Sequence, residues 1–323
     1  SRQPELCAEV TLQPVKRLGV DGAILFADIM TPLIGLGLAI RIVEHAGPVL
    51  DTPLRSEADV LRLRPLEPAE DVPYVLDTIR LLRQQLPAGV ALIGFAGAPF
   101  TLASYLVEGG ASRTFAHTKR LMHAEPRLWH ELMSRLAAIV TAYARAQIEA
   151  GAQAFQLFDS WVGCLSPDDY CRCVQPYTAA IFDALAPCDV PTIHFGTGVS
   201  SLLEGMAEAG GSVIGLDWRE PLDRGWARLG SGRAVQGNLD PAVLLAPWEV
   251  VQREATAVLE RAAGRPGHVF NLGHGLLPET PLDTIQRLVD FVHARQFERG
   301  PGSSERRPQP NPVPEGEGVR RRQ

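Results

Sequence analysis

The stretch ILFADIMTPL, residues 24–33, decides how this chain is read. It opens as an unbroken apolar run, the pattern of a strand covered on both faces, yet Asp28 stands in its middle. A carboxylate in such surroundings costs several kcal/mol unless a partner satisfies it. Parallel barrels place polar groups of this kind where their strands end, at the catalytic mouth. The neighbouring runs show whether Asp28 belongs to such a pattern.

Seven strand-like runs recur along the chain: GAILFAD (22–28), ALIGFAG (91–97), AFQLFDS (154–160), TIHFGTG (192–198), VIGLDW (213–218), AVQGNL (234–239) and HVFNLGHG (268–275). They are continuously apolar rather than alternating, which predicts a parallel sheet with both faces covered. Helical patterns lie between them. Ser166-Pro167-Asp168-Asp169 and Thr280-Pro281-Leu282-Asp283 each place a hydroxyl at an N-cap and Pro at the first helical position. Residues 126–151 read as one long amphipathic helix ended by glycine. Alternation of this kind implies βαβ units. The expected fold is α/β, a (β/α)8 TIM-type barrel with seven of its eight strands visible, because the opening SRQPELCAEVTLQPVKRLG reads as a helix.

Composition narrows the function. At 46% hydrophobic and 21% charged residues the chain is globular, and its formal net charge of −6 argues against a nucleic-acid surface. Nearly all basic charge is arginine, Lys16 and Lys119 being the only lysines. The scattered Cys7, Cys164, Cys171, Cys173 and Cys188 form no disulfide framework and read as free thiols of a cytoplasmic protein. The longest apolar segment, broken by Pro32, is too short to span a membrane. Residues 1–299 are expected to form a single barrel domain, and 300–323, rich in Pro, Gly and Arg, a disordered tail.

The strand ends carry the chemistry. Asp28 ends the first run, Asp159-Ser160 the third, and NLGHGL sets His274 between two glycines. Asp159 and Ser160 equally suit the cap of a turn, Asn238 and Asp240 suit a turn before Pro241, and His194 suits a satisfied barrel histidine. His117, His123 and His130 lie in helical patterns and read as surface residues. No GxGxxG, P-loop, HExxH, CxxC or GxSxG pattern occurs, so nucleotide, metal and serine-hydrolase chemistry find no support.

The runs IxFxDI, GFAGAPxTLxxYxVEGG, AxQLFxS, IHFGxG, GLDW, QGNLDP and NLGHGxxP, in that order from about Cys7 to about His293, closely resemble the uroporphyrinogen decarboxylase family of haem biosynthesis. The resemblance implies a homodimeric barrel that removes CO2 from the four acetate arms of uroporphyrinogen III to give coproporphyrinogen III, with no metal or organic cofactor. It implies that Asp28 meets the pyrrole N–H groups of the ligand, with no other protein residue as its partner. Tyr105, Ser160 and His274 match positions that hold substrate carboxylates or orient an acetate, Asp28, Tyr105 and His274 being the candidate catalytic set. Ile24, Phe26, Phe95, Phe158 and Phe195 match apolar positions of the cleft. The small-molecule tetrapyrrole is the expected partner, with no nucleic acid, membrane or metal.

The family also opens with an RQAGRY-type segment whose arginines bind carboxylates. Here Arg2-Gln3 is followed by Pro4, and no replacement arginine is evident at the strand ends. The expectation is that the sequence begins about one strand and loop late, and that the polypeptide alone is inactive and poorly stable. Two rivals stand beside this reading: a zinc-dependent corrinoid or thiol methyltransferase of the same superfamily, and an inactive tetrapyrrole-binding remnant. A phosphate-binding barrel enzyme using the NLGHGL loop is a third.

Overall fold

A computed structural model describes residues 2–43, 47–230 and 232–295. All seven expected strands are present. They are β1 (Gly22–Ile24), β4 (Ala91–Gly97), β5 (Ala154–Asp159), β6 (Thr192–Gly196), β7 (Val213–Gly215), β8 (Ala234–Gln236) and β9 (His268–Val269). They pair in parallel in the order β1-β4-β5-β6-β7-β8-β9, with helices between them, and β1 and β9 form the edges. A separate antiparallel hairpin, β2 (Ile40–Val43) with β3 (Gly47–Leu50), follows β1. The segment 300–323 lies outside the described residues.

The pairing register sorts the two faces. Gly97, Phe158, Phe195, Gly215, Gln236 and Val269 are level with one another and face the inside of the curl. Leu157, His194, Ile214 and Val235, one residue earlier, are buried against the helices. His194 is a core histidine as expected but only half satisfied: its Nδ1 lies 3.2 Å from the Met206 carbonyl, its buried Nε2 has no hydrogen-bond partner among the described residues, and burial lowers its pKa to about 4. His117, His123 and His130 are exposed.

The helix Pro126–Ala150 ends at Gly151, which sits at φ 122°. Ser166 caps its helix by accepting the Asp169 N–H, as its pattern predicts. Thr280 does not cap: the last helix, Leu282–Ala294, begins after Pro281, and the Thr280 hydroxyl has no hydrogen-bond partner among the described residues. The helix Pro4–Leu18 packs on Pro73–Gln85 and on β1.

The first strand departs from expectation. It ends at Ile24, not at residue 28, and its outer position leaves Ile24 and Phe26 about half exposed. The reason lies in a helix far along the chain. Gln147, buried on Pro126–Ala150, accepts the Phe95 N–H through Oε1 (3.1 Å) and donates through Nε2 to the Phe95 carbonyl (2.9 Å). These are the backbone groups of β4 that a longer β1 would have engaged. The amide reaches them because residue 94 is glycine; a Cβ there would stand 2.8 Å from Gln147 Oε1. Pairing stops after Leu25 N–H donates to the Ile93 carbonyl. The chain then leaves the sheet, with the Phe26 N–H donating to Thr11 Oγ1 at 2.9 Å.

Candidate active site at the strand ends

Where β1 leaves the sheet, a cleft of about 410 Å³ opens, lined by residues 24–29 with Phe95, Phe158 and Ser160. The structure therefore brings together six of the predicted residues: Ile24, Phe26, Asp28, Phe95, Phe158 and Ser160. Phe195 joins them through a ring stack. Phe158 meets Phe95 edge-on at 5.6 Å and Phe195 at 5.8 Å, giving the cleft an aromatic wall. A groove of about 520 Å³ on the outside, between Pro126–Ala150 and Gln175–Leu185, is half alanine-lined and holds none of these residues.

Asp28 is half-buried in the turn before the short helix Thr31–Gly35. Its Oδ1 accepts the Met30 N–H at 2.7 Å, and its own N–H donates to Thr31 Oγ1 at 3.1 Å. The expectation that no protein residue is its partner is thereby corrected: one carboxylate oxygen is taken by the turn it builds, as short carboxylates commonly do. Oδ2 has no hydrogen-bond partner among the described residues. The turn fixes the carboxylate; the second oxygen remains for a donor in the cleft.

Ser160 follows β5, held by Thr197 Oγ1, which donates to its carbonyl at 2.6 Å. Tyr105 lies buried on the helix Pro99–Glu108, packed edge-on against Trp161 at 5.9 Å. Burial pushes its phenol above the ordinary value, and the Asp28 charge adds to that. Beneath this group sits a residue the sequence left open between a cap and a site. Asp159 is fully buried and accepts one hydrogen bond from Thr101 Oγ1 (3.1 Å), while its Oδ2 has no hydrogen-bond partner among the described residues. Burial raises its pKa to about 7.

His274 stands apart. It is exposed on the loop after β9, and its ring packs edge-on against Trp218 at 6.2 Å. Trp218 follows β7, and Arg219 lies over it with the guanidinium carbon 4.0 Å from the ring centre. Arg219 is an arginine at a strand end that the sequence reading does not single out. The signal was present in GLDWRE, because the motif that ends β7 leads directly into Arg219. Asp240 acts in the turn before Pro241 as read, accepting the Ala242 N–H, whereas Asn238 does not: its Nδ2 reaches the loop after β7 and donates to the carbonyls of Asp217 and Glu220. None of the five cysteines forms a disulfide among the described residues. Among the described residues no group of three His, Cys, Asp or Glu side chains converges to hold a metal, which leaves the zinc-methyltransferase reading without a donor set.

Residues 1–295 match the family described as Uroporphyrinogen decarboxylase (URO-D). The chain is 54% identical over 292 residues to the uroporphyrinogen decarboxylase of Carboxydothermus hydrogenoformans, covering 90% of this chain and 83% of that one. It is 57% identical to that of Thermus thermophilus, covering 90% and 84%. Among solved structures it resembles a methyltransferase from Methanosarcina mazei, with a TM-score of 0.73 at 21% identity over 90% of this chain and 85% of that one. A B12-independent methionine synthase from a Shewanella species gives 0.57 at 12% over 90% and 87%. At such identities the structural likeness shows a shared barrel-type fold alone.

Proposed function

Since the chain belongs to the uroporphyrinogen decarboxylase family, we propose that the aromatic cleft holds uroporphyrinogen while its four acetate carboxyls leave as CO2, yielding coproporphyrinogen. Loss of CO2 from an acetate requires a place for the electron pair of the broken C–C bond. A pyrrole protonated on a ring carbon supplies it. The pair flows into the cationic ring, the former acetate carbon becomes an exocyclic methylene, and a proton added there with one lost from the ring carbon restores a methylpyrrole. Each arm takes up one proton and releases one CO2. The protein's part is to hold the ring, stabilise its positive charge and move protons.

In this reading Asp28 Oδ2 accepts pyrrole N–H groups and faces the positive charge that develops on the reacting ring. Phe95, Phe158, Phe195, Ile24 and Phe26 shape an apolar slot for the ring faces, while Ser160 and Tyr105 supply hydroxyls to an acetate arm. His274, across the mouth, takes a carboxylate from the other side. The observation that carries the reading is a fixed carboxylate with one free oxygen at the rim of an aromatic cleft. A homodimer with its mouths near the interface belongs to the same reading, and sedimentation finding only monomer at micromolar concentration would contradict that part.

The test is anaerobic titration with uroporphyrinogen. Asp28→Ala should weaken binding by roughly 10- to 100-fold, the loss of a charge-assisted hydrogen-bond acceptor. Asp28→Glu should lose less. Equal affinity of Asp28→Ala and the parent removes the reading.

A further inference from the structure

A substrate with eight carboxylates approaches a chain of net charge −6. Asp28 at the rim adds to the repulsion, so tight binding requires a local cation. Arg219 is placed to be one. It follows β7 at the same end of the sheet as Asp28, Ser160 and His274. Its side chain is 50% exposed, whereas its partner Asp217 is almost wholly buried.

The loop holding it is fixed from several directions. Asp217 Oδ1 accepts the Arg219 N–H at 2.9 Å, and Oδ2 accepts Arg219 Nη1 at 2.8 Å and the Gly198 N–H. Asn238 Nδ2 clamps the Asp217 and Glu220 carbonyls at 2.9 and 2.6 Å. Gly273, next to His274, packs so closely that a Cβ would collide with the Trp218 backbone nitrogen. The loops after β7 and β9 are thereby locked together, and Arg219 and His274 both pack on Trp218. Among the described residues Nη1 and the main-chain N–H of Arg219 are the nitrogens engaged in hydrogen bonds. Among the described residues Nε and Nη2 have no acceptor, which leaves a planar fork of donors of the shape that suits a carboxylate. Along the sheet β7 lies four strand spacings from β1, about 19 Å, and the curl of the mouth shortens that span.

We infer that Arg219, stacked on Trp218 beside His274, binds a carboxylate arm of the tetrapyrrole and helps set the choice of substrate. The inference rests on the function proposed above and names the cation that reading requires. Asp217 and Trp218 are the positioning residues: one orients the guanidinium, the other holds it flat and away from the aromatic cleft.

The experiment is anaerobic titration of the chain with uroporphyrinogen and with coproporphyrinogen, which retains the four propionates and has lost the acetates. Arg219→Gln keeps a neutral donor for Asp217. It should bind uroporphyrinogen roughly 10- to 100-fold more weakly at low salt, and the gap should narrow as salt rises. Weakening toward both ligands assigns the arm as a propionate; weakening toward uroporphyrinogen alone assigns an acetate. Arg219→Lys keeps the charge but loses the fork and should fall between. Should Arg219→Gln melt early, Arg219→Lys carries the test. Unchanged affinity in a folded variant, with Asp28→Ala still impaired, overturns the role of Arg219 alone. Failure of the parent to bind either ligand overturns the functional reading and this inference with it.

Discussion

Asp159 and Asp217 are both buried beside strand ends of one sheet, yet their surroundings are opposite. Asp159, under the aromatic side of the mouth, has one hydroxyl donor and an unpartnered oxygen. Asp217, under the β7 side, has two backbone N–H groups and a guanidinium. The difference teaches what each side is built for. A carboxylate ringed by donors holds Arg219 at the rim through two hydrogen bonds. A carboxylate with a single hydroxyl is driven toward its neutral form, as the raised pKa of Asp159 shows. The mouth thus divides into an apolar half with one carboxyl group, Asp28, and a polar half carrying the Arg219 guanidinium and the His274 ring. A tetrapyrrole divides in the same way, between N–H groups at its centre and carboxylates at its periphery.

Breaking the better-satisfied of the two acids should cost most. Asp217→Ala leaves an arginine and two backbone donors without their acceptor and should lose about 3–5 kcal/mol of stability, read by denaturant unfolding. A loss below 1 kcal/mol would mean that the Arg219 loop is held without Asp217.

Asp159→Asn should act with the opposite sign. The folded-state pKa of Asp159, about 7, lies above the value near 4 of the unfolded chain. Between those values the unfolded state binds fewer protons, so this group's contribution to stability falls as pH rises from 4 to 7 and then levels off. Asparagine keeps the shape of the neutral acid. The variant should match the parent near pH 4 and exceed it at pH 8, by no more than a few kcal/mol. A difference independent of pH would show that Asp159 is ionised in the folded protein. His194 runs the other way, its contribution falling as pH drops from 6.5 toward 4, but it is common to both chains and cancels.

The smallest effect is expected at the staple between the loops. Gly273→Ala places a methyl against the Trp218 backbone and should cost about 1–3 kcal/mol. It should weaken uroporphyrinogen binding as Arg219→Gln does, because the same loop is displaced. Wild-type affinity would indicate that the loops after β7 and β9 work separately.

Much of this was legible in the residues. The seven runs marked the strands because a parallel sheet between helices leaves few polar positions. Their lengths were not legible: β1 stops early because Gln147, more than a hundred residues away, satisfies the β4 backbone in its place. No local pattern announces that substitution. The hairpin β2–β3 went unseen because part of it lay within an apolar segment already read as one piece. Asp28 stood out as a polar group in the wrong company, and Phe95, Phe158 and Ser160 gathered round it. Its bond to the Met30 N–H depends on a turn that an extended reading through residue 28 concealed. Arg219 was legible but overlooked, since one residue's pairing with a distant cleft leaves no periodic trace.

The most direct test of the account is a crystal structure of the chain with coproporphyrinogen bound under anaerobic conditions. The account predicts pyrrole N–H groups within about 3 Å of Asp28 Oδ2, ring faces against Phe95 and Phe158, and a carboxylate arm toward Arg219. A macrocycle seated away from the cleft, with Asp28 bonded to Met30 alone, would contradict it.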